Sequence, residues 1–174
     1  MDLESRTVGA VSLLERDLIG GRAKWIADLT EFFRDHRIRD TVFDLYARGR
    51  TRNRGLFISR FFAWSVLPDY GVSLLCIDAA RFGGFNSEKL RKTMDDALYL
   101  AKEDDLKWIW LVIFFPRELP GWAVSFVERY DRKELGMAMA SLFSGQVVVS
   151  NNQVGKSIGK QLGLGKMVGR LSHG

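Results

Sequence analysis

A chain of 174 residues with 47% hydrophobic content can bury one sizeable core, which excludes a disordered tail and leaves one domain with short appendages as the natural expectation. Its 26 basic and 21 acidic residues give a net charge of +5, a balance that favours an anionic partner. The single cysteine, Cys76, rules out an intrachain disulfide, and no apolar run approaches a membrane span, so a soluble cytoplasmic protein with no membrane partner is expected.

Periodicity gives a mixed order. Residues 11–19 read as a short helix stopped by Gly20-Gly21, and 22–36 as a second helix with Trp25, Ile26, Leu29, Phe32 and Phe33 on one broad face. Residues 41–48 alternate like a strand, 49–55 form an arginine-bearing loop, and 56–66 and 72–82 are rich in β-favouring residues around a turn at Pro68-Asp69-Tyr70-Gly71. Asn86-Ser87-Glu88 offers a cap for a helix to about Glu103, with Leu90, Met94, Ala97, Leu98 and Ala101 as its buried stripe. The continuous apolar run 108–115 predicts a central strand. Helical stretches follow around 122–130 and 134–143, then a short strand at 146–150 and a last helix from Val154. The fold class is α+β, with a small, mainly antiparallel four-stranded sheet: a three-strand meander, a helix and a fourth strand. An N-terminal helical segment (1–21), one α+β domain (22–150) and a C-terminal glycine-rich basic helix (151–174) make up the chain.

Charge is unevenly placed. Between Arg34 and Arg60 eight arginines face three aspartates, and from Ser141 onward Lys156, Lys160, Lys166 and Arg170 meet no acid. Inside the first territory Arg48, Arg50, Arg52, Arg54 and Arg60 stand among Tyr46, Phe57, Phe61, Phe62 and Trp64. Guanidinium groups attract phosphate and stack on bases, while aromatic rings supply flat faces for unpaired bases. Alternation along 56–66 would put Arg60, Phe62 and Trp64 on one face and Phe57 and Phe61 on the other. The expected partner is single-stranded DNA or RNA, with Arg48, Arg50, Arg52, Arg54, Arg60, Phe57, Phe61, Phe62 and Trp64 as binding residues.

Catalytic parts are scarce. The order helix, three strands, helix, strand resembles the core of the PD-(D/E)xK nuclease superfamily, and Pro68-Asp69 with Asp78-Ala79-Ala80 partly fits its motif. Ala80 stands where the lysine that helps activate water belongs, and Arg81 would point to the opposite face. An active or an inactive nuclease of this type is therefore the alternative function, and a protein-interaction subunit is another. Gly155-Lys156-Ser157 imitates a phosphate-binding loop, but Ser150 takes the place of its first glycine and too little chain follows. His36 and His173 are the only histidines, so no zinc or Ser-His-Asp site is expected, and His36 reads as a helix-end charge. No cofactor, metal or catalytic residue is assigned.

Gly155, Gly159 and Gly163 recur every four residues beside an apolar stripe of Val154, Ile158, Leu162, Val168 and Leu171, which suggests self-association through this helix. Taken with Phe57, Phe61, Phe62, Trp64 and the arginines, the chain resembles the ThermoDBP group of archaeal single-stranded DNA-binding proteins over roughly 22–149. That resemblance implies non-enzymatic protection of unpaired strands and a homo-oligomer. The glycine-spaced tail departs from the leucine-zipper tail of that group.

Overall fold

A computed structural model describes residues 3–20, 26–51 and 70–172. The elements are α1 (Leu3–Ile19), β1 (Ile26–Ile38), β2 (Thr41–Thr51), β3 (Tyr70–Asp78), a 3-10 turn (Ala79–Phe82), α2 (Ser87–Glu103), β4 (Trp108–Phe115), α3 (Gly121–Arg129), β5 (Leu135–Ser141), β6 (Val147–Val149), α4 (Gln153–Leu162) and α5 (Leu164–Ser172). The six strands form one sheet in chain order, β1-β2-β3-β4-β5-β6. β1, β2 and β3 pair antiparallel, β3-β4 and β4-β5 pair parallel, and β6 turns back antiparallel. The α+β class holds, but the sheet is six-stranded and mixed, not a four-stranded antiparallel one.

Two expected helices are strands. Residues 22–36 were expected to be helical because five large apolar residues fall on one face, yet the described part is β1, joined to β2 by the two-residue turn Arg39-Asp40 that the register Ile38↔Thr41 leaves. Its side chains serve both sheet faces: Phe32 packs with the α1 side, while Phe33 stacks with Tyr46 of β2 on the α2 side. Residues 134–143 are built of good helix formers, Leu, Met and Ala, but 135–141 form β5 and are buried throughout. Met137 and Met139 enter one core and Ala138 and Ala140 the other. A strand covered on both faces shows no polar alternation, so its sequence pattern cannot be told from that of a buried helix.

The sheet is the middle of three layers. On one face α2 and α3 cover Leu75, Ile77, Ile109, Leu111, Ile113 and Met139, and on the other α1, α4 and α5 cover Leu74, Cys76, Trp110, Val112 and Phe114. Asn86 caps α2 as expected, its side chain accepting from the Lys89 N–H at 2.9 Å. Strand β3 is shorter than the expected 72–82 because the chain turns into the 3-10 turn after Asp78. The expected strand 56–66 lies outside the described residues.

The expected last helix is two helices, because Gly163 adopts the left-handed conformation at φ 60° and ends α4. Of the apolar stripe, Ile158, Leu162 and Val168 are buried in the chain's own α1-side core. Gly155 sits against the backbone of Ser150. The stripe and the first glycine therefore serve internal packing. Asn152 fixes this corner: its amide donates to the carbonyls of Arg132 and Leu135 at 2.6 and 2.8 Å, and its Oδ1 accepts from the Gly155 N–H and the Ser150 hydroxyl at 2.6 and 3.2 Å. Asn152→Ala removes a helix cap and strands buried carbonyls, so a loss of about 2–4 kcal/mol is expected in urea unfolding. Asn152→Asp, which keeps the acceptor and loses both donors, should fall between. Equal stability of all three proteins would refute this role.

Candidate nucleic-acid interface

Of the nine expected binding residues only Arg48 and Arg50 fall among the described residues; Arg52, Arg54, Phe57, Arg60, Phe61, Phe62 and Trp64 lie outside them, as does Asp69. Arg48 is occupied. Its guanidinium donates to the Asp104 carboxylate at 3.0 Å and to the Asp104 carbonyl at 3.3 Å, and stands 3.6 Å from Glu31, tying β2 to β1 and to the end of α2. Arg50, two residues on, is exposed.

Tyr46 is buried under the sheet's outermost rings. His36 stacks on it at 4.6 Å between centroids, and Phe33 stands 5.4 Å from His36 and 5.9 Å from Tyr46. Phe33 keeps 47% of its surface in solvent, so β1 carries an aromatic face that the helical reading of 22–36 concealed. His36 belongs to that stack and not to a helix end.

Burial, aided by the charge of Glu31, pushes the Tyr46 hydroxyl up to about 12, and burial does the same for Tyr130 despite Arg132. A raised folded-state value means stability that is whole below pH 10 and is lost as pH climbs through 12. Each tyrosine contributes at most about 2–3 kcal/mol in this way, and Tyr130, which is only partly buried, contributes less because solvent screens it. The melting temperature should therefore fall between pH 10 and 12, and Tyr46→Phe should fall less steeply; identical slopes would count against the effect.

A second site lies where β2 and β3 meet. Phe43 and Tyr46 enter the core under α2, whereas Leu45 and Ala47 enter the other, so strict alternation breaks at Asp44. Pairing of β2 with β3 begins only at Leu45↔Cys76. In place of the next ladder bond, the Asp44 carboxylate accepts the Asp78 N–H at 2.7 Å. Asp78 in turn accepts the Ala80 N–H at 2.8 Å and so starts the 3-10 turn. Both acids are buried, at 7% and 2% exposure. Arg81, on that turn, donates to Asp44 and, at 2.7 Å, to Asp35. The bond to Asp35, then that to Asp44, raise the guanidinium above its ordinary value. Asp35, Asp44, Asp78, Arg34, Arg81 and Ser12 line a cavity of about 250 Å³, and Arg34 is itself bonded to Glu15 of α1.

This corrects the expectation for Arg81, which faces the acids and not the far side of the sheet. A strand continued through residue 81 would have turned it away; the 3-10 turn brings it back. The signal the sequence held for Asp44 was a charge inside an otherwise apolar strand, Val42-Phe43-Asp44-Leu45. The set does not fit a divalent metal. One oxygen of Asp44 takes a backbone N–H and the other a guanidinium, and Ala80 offers no donor. Among the described residues no three His, Cys, Asp or Glu side chains converge as a metal centre.

Gly155-Lys156-Ser157 is structural: Asn152 caps the Gly155 N–H, and the Ser157 hydroxyl donates to the Val154 carbonyl at 2.6 Å while accepting from Trp110. Cys76 is fully buried, and burial first, with Asp44 and Asp78 beside it, pushes its thiol well above the usual range. Among the described residues no helix is long and apolar enough to cross a membrane. Comparison with known protein families, curated proteins and solved structures finds no match for this chain.

Proposed function

We propose that this protein binds single-stranded nucleic acid without cutting it, on a core of the PD-(D/E)xK type whose catalytic cation has given way to an arginine. The observation that carries the reading is Arg81 bridging Asp35 and Asp44 beside Asp78, with Ala80 at the place of the lysine. In an active member two acids at this junction hold the metal and the lysine assists the attacking water. Here the guanidinium neutralises the first acid, and no side chain at 80 can serve. The element order α1-β1-β2-β3-α2-β4 supports this core. The six-stranded sheet and the seated C-terminal helices suit it better than the small sheet and assembly helix that a ThermoDBP resemblance implies. Asp44 takes the first acid's place.

Binding is assigned to Arg50, Arg52, Arg54 and Arg60 and the rings that accompany them. Four charges at alternate residues from Arg48 to Arg54, with no acid among them, repel one another unless an anion lies across them. Arg48 discharges part of this through Asp104 and Glu31, which leaves Arg50 and its successors for phosphate. Retention of labelled single strands on filters over a salt series, with and without magnesium, tests the reading. Salt-sensitive retention with intact strands is expected. Absence of retention at low salt defeats the binding, and magnesium-dependent cleavage defeats the account of Arg81.

A further inference from the structure

A second cleft, which shares no lining residue with the acid cavity, opens beyond the 3-10 turn. β3 and β4 run parallel and end level, at the paired positions Asp78↔Phe114, so the loops that leave them stand side by side. The chain leaves β3 through the 3-10 turn into Gly83-Gly84, and leaves β4 through Pro116–Pro120 into α3. Between these loops lies a space of about 670 Å³, walled by Ala80, Gly83, Gly84, Phe85, Arg117 and Pro120 among others. That volume is within the range of small-molecule sites.

We propose that this cleft binds a nucleoside 5′-phosphate. Arg117 is the cation on its wall and has no ion pair among the described residues. Gly83 and Gly84 stand at φ 59° and 126°, and a Cβ built on either meets no atom within 4 Å, so this loop opens onto free space. Lys89 fixes the loop by donating to the carbonyls of Phe82 and Gly84. The N–H groups of Gly84 and Phe85 make no hydrogen bond among the described residues. Phe85, edge-on to Phe115 at 5.7 Å, gives an apolar side for the base. Glu118, the acid on the wall, supplies an acceptor for a ribose hydroxyl and disfavours bare phosphate. The inference does not depend on the arginines of 48–60.

Titration calorimetry of the full chain tests it, with adenosine 5′-monophosphate, adenosine and inorganic phosphate as probes. A charge-assisted pair is worth enough that the monophosphate should bind at least about tenfold more tightly than adenosine, and Arg117→Ala should erase the difference. Glu118→Gln should strengthen inorganic phosphate. Short oligonucleotides with a 5′-phosphate or a 5′-hydroxyl identify the source: a preference for the phosphorylated end that Arg117→Ala removes assigns a strand terminus, and no preference assigns the free nucleotide. Equal binding of monophosphate and adenosine, no binding of either, or an unchanged Arg117→Ala protein overturns the proposal. Retention of 5′-hydroxyl strands by that variant separates this result from failure of strand binding.

Discussion

Replacing Arg50, Arg52, Arg54 and Arg60 together by alanine should flatten the salt dependence of single-strand binding by about 2.8 in log–log slope, since each phosphate neutralised on a single strand contributes about 0.7. Between 50 and 200 mM salt the native protein would thus lose roughly fifty-fold more affinity than the variant through these four contacts. Arg48→Ala is the informative companion. Its guanidinium already serves Asp104 and Glu31, so removing it should lower the melting temperature and leave the slope nearly unchanged. A uniform loss on all five substitutions would mean that charge alone matters. No change on the fourfold substitution would move the binding surface elsewhere, with the basic residues of α4 and α5 as the next place to test. Strands recovered from every reaction in magnesium should be full length.

How much of this was legible depends on whether an element buries one face or two. α2 was readable because it is amphipathic and capped: Asn86 takes the N–H of Lys89, and Leu90, Met94, Ala97 and Ala101 point inward. β4 was readable because eight apolar residues in a row are too few for a membrane helix and rich in Trp, Ile and Phe. β5 was not, since Leu-Gly-Met-Ala-Met-Ala-Ser favours a helix locally and becomes a strand only because β4 and β6 stand on either side of it. The clue left in the sequence was Gly136. The apolar residues of β1 also fall on one side of a helical wheel, although in the sheet Phe32 and Phe33 serve opposite faces.

The site divides in the same way. Asp78 could be singled out because it ends an apolar strand, and Ala80 because it breaks a motif. The partnership of Asp44 with Asp78, and of Arg81 with Asp35, could not, because it joins residues 34 to 46 positions apart through the β1-β2-β3 register. Its physical cause is local nonetheless: one lost ladder bond at Asp44 and one 3-10 turn at Ala79–Phe82 re-aim three charges into a single cavity.

Gly136→Ala should be among the most damaging single substitutions in the chain, at about 3 kcal/mol or more in urea unfolding. A Cβ on Gly136 would lie 2.6 Å from the Gly155 nitrogen and 2.7 Å from the Val154 carbonyl carbon, and both are backbone atoms that no rotamer change can move. α4 would have to lift from β5, taking Ile158 and Leu162 with it, both of which are buried in the α1-side core. Overpacking ordinarily costs about 1–3 kcal/mol when side chains can adjust, so a contact between two backbones belongs at or beyond the upper end. Gly155→Ala should behave similarly, because its Cβ would meet the Ser150 carbonyl oxygen at 2.6 Å and displace a hydroxyl that accepts from the Met137 N–H. Against a total of about 5–15 kcal/mol, either loss would leave a marginal fold. Gly165→Ala is the control: nothing lies within 4 Å of its Cβ on α5, and alanine in a helix should add roughly 0.5–1 kcal/mol. If Gly136→Ala cost less than Gly165→Ala gained, α4 could not be seated on β5 as described. The basic residues it carries would then be free to face a ligand.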